Sequence, residues 1–174
     1  MTRTRWAGSV ALALVTVLVG IAPGRAGAEQ FTEAEQQVIA LLPPRYTAAS
    51  CTRADNAFPA ALASLDCTDD MHTDTPDYAR FTHYDSMDAL TADFYVSAAG
   101  MSLSPCPDGN ASPGTWNYGP HLTNPGGKIA CGTVDDQTVI AWTRDSQLLL
   151  ATVNGGPDLG ELYQWWQRYG AATG

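Results

Sequence analysis

The chain has 174 residues, with nine Lys and Arg against 18 Asp and Glu, a formal charge of −9 at pH 7. An acidic surface repels phosphate backbones and anionic lipid heads, which excludes nucleic acid as a natural partner and leaves cations or basic peptides as the compatible ones. The same charge also serves plain solubility outside the cell, so it restricts the partner without naming one.

The first residues point to export. "MTRTRW" supplies a basic start with Arg3 and Arg5, "AGSVALALVTVLVGIA" is an apolar run, and "PGRAGA" adds a helix break and the small-x-small site Ala26-Gly27-Ala28. This is the pattern of a secretory signal peptide, residues 1–28, cut after Ala28. A retained anchor would need roughly 20 apolar residues, and the run holds 16. The first cysteine, Cys51, lies too far from the run for lipid attachment. The expected mature chain is residues 29–174, long enough for one domain with a real core. It keeps six basic residues against 18 acidic ones, a charge of −12, and no membrane contact is expected of it.

Four cysteines remain, Cys51, Cys67, Cys106 and Cys131. An even number in an exported chain implies two disulfides, and no pair has the two-residue spacing of a zinc or redox motif. Of the three pairings, Cys51–Cys67 with Cys106–Cys131 is favoured because each closes a short loop.

In the mature chain, "FTEAEQQVIALLP" opens with Thr32 three residues before Glu35, the capping-box spacing, and continues as an apolar helical stripe that Pro43-Pro44 ends. A loop containing Cys51 follows. "FPAALASLDCT" reads as a short strand, the acidic "CTDDMHTDTPD" as a loop, and "YARFTHY" as an alternating strand. "DSMDALTADFYVSAAG" reads as a helix, with Asp85 or Ser86 as cap and Gly100 as stop. "SPCPDGNASPGTWNYGPHLTNPGGK" is loop-dominated, with a short strand at Thr115 to Tyr118. "KIACGTV", "TVIAWTR" and "SQLLLATV" follow as a meander around the turns at Asp135-Asp136-Gln137 and Arg144-Asp145-Ser146. A closing helix carries "LGELYQWWQRYG". The order predicts an α+β domain: an antiparallel sheet of five to six strands with helices packed on one face.

No catalytic constellation stands out. There is no G-x-S-x-G elbow, and the spacing picks out no Ser-His-Asp set. His83 and His121 are the histidines best suited to acid–base work, one in a strand and one in a loop. His72 sits among Asp69, Asp70, Asp74 and Asp77, but the stretch lacks the glycine and glutamate of a calcium loop, so no metal site is expected. Asp135 and Asp136 fall at a hairpin turn, and Gly126-Gly127-Lys128 is far short of a phosphate loop. No cofactor is implied.

The stretch from Cys106 to Gly126 is the candidate recognition surface, since long loops in small domains are often functional. Trp116, Asn117, Tyr118 and His121 form the expected patch, aromatics being rich in contact energy at interfaces. The alternative is that Trp116 packs over the Cys106–Cys131 bridge as a satellite core. In the last helix, a 100° wheel puts Trp166 near the middle of an apolar face about 160° wide and Trp165 at its edge, partly exposed.

The combination of Cys51…Cys67, "YARFTHYDSMDALTADF", Cys106, Trp116, "GGKIACG", "VIAWTRDSQLLLATV" and "ELYQWW" resembles a family of small secreted or envelope proteins of actinobacteria, mycobacteria included. It is similar to extracytoplasmic modules attached to some actinobacterial serine/threonine kinases. The resemblance implies a disulfide-stapled α+β domain with a binding or sensing role and no established catalytic residues. The expectation is therefore a non-enzymatic binding module of the cell envelope, whose ligand or protein partner is unknown. The alternative is a small extracellular hydrolase centred on His83 or His121.

Overall fold

Apolar side chains alternate to both faces along the central strands, and this makes the sheet a middle layer. In the computed structural model residues 30–69, 76–109, 111–118, 125–156 and 158–171 are described. The chain divides into two units, Met1–Gln30 and Phe31–Gly174, and the second holds every regular element of the described residues. The expected signal peptide, residues 1–28, lies outside them.

Helix α1 spans Glu33–Ala40 and starts where its capping box dictates: Thr32 Oγ1 accepts from Glu35 N–H at 3.3 Å, and Glu35 Oε2 accepts from Thr32 N–H at 2.6 Å. The eight strands are β1 (Cys51–Arg53), β2 (Ala63–Cys67), β3 (Tyr78–His83), β4 (Ser102–Leu103), β5 (Gly114–Asn117), β6 (Pro125–Val134), β7 (Gln137–Arg144) and β8 (Leu149–Asn154). Helix α2 (Met87–Ala99) separates β3 from β4, and α3 (Leu159–Trp165) closes the fold. All pairings are antiparallel, in the order β1-β2-β3-β8-β7-β6-β4, with β5 also on β6.

The α+β class and antiparallel sheet are as the sequence predicts, but the sheet has eight strands rather than five to six. The two additions, β1 and β4, have three and two residues. Segments so short show no alternation, and neighbours recruit them: β1 lies beside β2 with Cys51 opposite Cys67, and β4 occupies the end of β6. Helices also cover both faces, not one. Val38 of α1 and Leu162, Tyr163, Trp165 and Trp166 near the C-terminus pack on Leu65, Phe81, Ile140, Trp142 and Val153. On the opposite face Leu90, Phe94 and Ala98 of α2 pack on Ala130, Ala141 and Leu150.

The disulfides are Cys51–Cys67 and Cys106–Cys131, the favoured pairing. The hairpin between β6 and β7 turns on Asp135 and Asp136, both left-handed at φ 48° and 65°, the geometry of a two-residue type I′ turn. These two acids serve the turn. Arg144, 1% exposed at the end of β7, donates to the Leu41 carbonyl at the C-terminal cap of α1, a helix whose last turn holds no basic residue of its own. Burial lowers the Arg144 guanidinium to about 10, yet it stays charged at neutral pH beside the negative end of a helix.

Candidate functional site

The stretch after Cys106 is held to the open edge of β6 by hydrogen bonds that imitate a strand. Between the β4 and β5 pairings, Cys131 has its N–H and C=O served by one hydroxyl: Ser112 Oγ accepts from Cys131 N–H at 2.7 Å and donates to Cys131 O at 2.8 Å. Ser104 N–H donates to the same carbonyl at 3.0 Å. With the Cys106–Cys131 bridge, these contacts fix where β5 begins.

Strand β5 then sends Trp116 inward. Its side chain is 2% exposed and its Nε1 donates to Thr143 O at 2.9 Å. Gly126 is what makes this packing feasible, because an added Cβ there would lie 2.6 Å from the Trp116 ring. Gly127 is equally constrained, its added Cβ falling 2.1 Å from Thr143 O. The "GGK" stretch is thus a packing device. Trp116 belongs to the main core, in the same cluster as Cys106 and Cys131, rather than to an exposed patch or a satellite.

The four residues of the expected patch are therefore split. Trp116 is buried, Asn117 is exposed, and Tyr118 is half-buried with its ring edge-on to Trp116 at 4.6 Å. Burial pushes the Tyr118 hydroxyl up, with the Arg144 cation opposing. His121 lies outside the described residues, as does His72.

A cleft of about 290 Å³ opens between β5 and the C-terminal helix. Its floor is aromatic. Trp166 meets Trp116 at 5.5 Å between centroids with planes at 87°, and Tyr163 at 5.1 Å with planes at 35°. Its rim is polar, formed by Asp108, Thr115, Asn117 and Gln167, all exposed, with Ala171 closing one end. Tyr163 donates its hydroxyl to Asp108 Oδ2 at 2.5 Å, tying the loop after the disulfide to the helix.

The wall carrying Gln167 departs from the predicted helix. After Trp165 the backbone passes into a π turn, Trp166–Gly170, with Ala171 N–H donating to Trp166 O at 2.8 Å. Gly170 sits against two rings, where an added Cβ would lie 2.7 Å from Trp166 and 3.0 Å from Trp142. Such widened turns are rare and frequent at functional sites. Trp165, expected at a partly exposed edge, is 5% exposed, because Tyr46 and Tyr169 cover it at 6.2 and 5.9 Å.

Sequence reasoning missed Asp108, Tyr163 and Gln167. Asp108 stands two residues from a half-cystine in a loop already singled out, but its partner Tyr163 is 55 positions away and only packing joins them.

A second hollow, about 430 Å³, lies beside the turn from β8 into α3 and includes Asp77, Asp158, Glu161, Trp165 and Arg168. Two of its acids are occupied locally. Asp158 caps α3 by accepting from Gly160 and Glu161, and Asp77 accepts from Gly156 N–H. His83, half-buried in β3, has its imidazole lowered by burial. Among the described residues no hydrogen-bond partner meets its Nδ1. Three strands separate β3 from β5, about 19 Å at normal strand spacing, so His83 and the cleft are separate places. Among the described residues no three His, Cys, Asp or Glu side chains gather as a metal site would require, and no helix is long and apolar enough to cross a membrane. No family model, curated protein or solved structure matches the chain, and its chemistry is read from its own residues.

Proposed function

We propose that the chain is a secreted, non-enzymatic binding or sensing module of the cell envelope, of the kind its actinobacterial resemblance implies, and that it binds through the cleft between β5 and α3. The observation that carries this reading is the cleft's construction: a fixed aromatic floor under a rim of carboxylate, hydroxyl and amide groups. Recognition sites combine apolar lining with a few placed polar groups in this way. Among the described residues, the rim offers no histidine, cysteine or serine to act as base or nucleophile. Two disulfides fit an oxidising, extracytoplasmic setting.

The test blocks the cleft without touching its floor. Thr115→Arg with Gln167→Arg fills the rim with two long side chains, both at exposed positions. Immobilised mature chain should retain components from a solubilised envelope preparation that the double variant does not. An identical retained set for both proteins would overturn the cleft as the binding site. The alternative reading would gain if hydrolysis of an envelope substrate fell with His83→Ala and survived the double substitution.

A further inference from the structure

We infer that the cleft recognises a primary ammonium group, an inference that rests on the binding reading above. The rim carries one carboxylate, Asp108, which only accepts, together with Thr115, Asn117 and Gln167, whose side-chain oxygens accept and whose O–H and N–H groups can also donate. Among the described residues, no lysine or arginine lines it. An anionic ligand would find no cation to pair with, whereas an ammonium head has three N–H donors for these acceptors.

The floor does not favour a sugar. Trp116, Tyr163 and Trp166 stand at differing angles beneath the rim, with exposures of 2%, 3% and 3%. A sugar ring needs an open aromatic face to stack on, and these rings offer none, so the polar groups of the rim carry the recognition. Asp108 is held for the purpose, because the Tyr163 hydroxyl fixes its Oδ2 at 2.5 Å.

Of the six basic residues of the domain, the five arginines are directed elsewhere, and Lys128 pairs opposite Thr115 in the sheet without lining the cleft. Arg53 pairs with Glu35 at 2.6 Å and Arg80 with Asp66 at 2.6 Å, Arg144 donates to the Leu41 carbonyl, and Arg45 lies over the Tyr169 ring at 4.9 Å. Arg168, next to Gln167 in sequence, lines the other hollow and lies 5.7 Å from the Tyr169 ring centroid. The cleft, at about 290 Å³, suits one side chain or small head group.

The experiment is an amide NMR titration of the mature chain, residues 29–174, with butylammonium chloride and with 1-butanol of similar shape. Butylammonium should shift the resonances of Thr115, Asn117 and Gln167 saturably, and 1-butanol should not. Asp108→Asn, an isosteric change at an exposed position, should weaken binding roughly tenfold, the scale of one hydrogen bond to a charged group. Tyr163→Phe, which removes one hydrogen bond that orients the carboxylate, should weaken it less. The peptide acetyl-Gly-Lys-Gly-amide distinguishes a lysine on a polypeptide, which gains affinity over the bare amine, from a free amine, which does not. Equal shifts from 1-butanol, or unchanged affinity in Asp108→Asn, would overturn the ammonium inference. Chitobiose shifting the same resonances while butylammonium shifts none would also overturn it, but would leave the binding reading standing. Silence from all probes, joined to identical retention by the rim-blocked variant, would remove both.

Discussion

The two faces of the sheet are packed by opposite means. Toward α1 and α3 the interior is filled with large rings: Tyr46, Phe81, Trp116, Trp142, Tyr163, Trp165 and Trp166 share one cluster with all four cysteines. Toward α2 the sheet offers Ala130 and Ala141, against which Leu90, Phe94 and Ala98 settle closely. That second face is also only partly apolar. Over β2 and β3 it becomes polar, with Asp66 and Arg80 paired and Ser64 bonded to Thr82 at 2.8 Å. The thick aromatic layer leaves a cleft at its rim, because rigid rings meeting at angles do not close on a strand edge. Small residues let α2 seat closely against the sheet.

If this contrast is right, the aromatic face should suffer most from shrinkage. Trp166→Ala removes a side chain 3% exposed and packed on three rings, and should cost about 3–5 kcal/mol in denaturant melts. A variant with an unchanged midpoint would show that the rings are not what holds α3.

The disulfides should come next. Replacing Cys106 and Cys131 by Ala opens a link between residues 25 apart, worth about 3.5 kcal/mol by loop entropy, against about 3 kcal/mol for the 16-residue link of Cys51 and Cys67. Amide exchange after the first change should rise chiefly around Ser112 to Asn117, and after the second around β1. Exchange rising everywhere alike would mean that the bridges do not act regionally.

The α2 face should instead be sensitive to enlargement. Ala141→Leu forces extra volume between β7 and α2 and should cost about 1–3 kcal/mol, with shifts confined to Leu90, Phe94 and Ala98. A neutral result would mean slack beneath α2 and would weaken the comparison.

The smallest effect belongs to the polar end of that face. Burial pushes the Asp66 carboxyl up, but hydrogen bonds from Arg80 and Tyr78 more than offset this and hold it below the usual range. A depressed carboxylate stabilises the fold above its unfolded value of about 3.9, and that stability is lost as pH falls through the folded value. Asp66→Asn should therefore cost about 1 kcal/mol at pH 7, and the gap from the parent should close progressively below about pH 4. A gap that stays constant down to pH 2 would exclude the pair as its source.

Much of the frame was legible from local chemistry. Thr32 and Glu35 form the box their spacing announces, the β6–β8 meander turns at Asp135-Asp136, and the cysteines pair within their halves. The candidate cleft was legible only in its region. The loop after Cys106 does border the cleft, yet Trp116 turned inward, because Gly126 leaves its ring room against β6. Nothing local marks a glycine as space for a ring ten residues earlier in the chain.

The sequence by itself determined the elements, the covalent links and the acidic balance, since each depends on residues near one another or on simple counts. Tertiary structure alone decided that β1 and β4 join the sheet, that Trp165 at the edge of the last helix is buried, and that Asp108 meets Tyr163. Those outcomes depend on which surfaces remain to be covered once the sheet has formed. Packing rings of fixed shape is a three-dimensional constraint, and a one-dimensional pattern does not contain it.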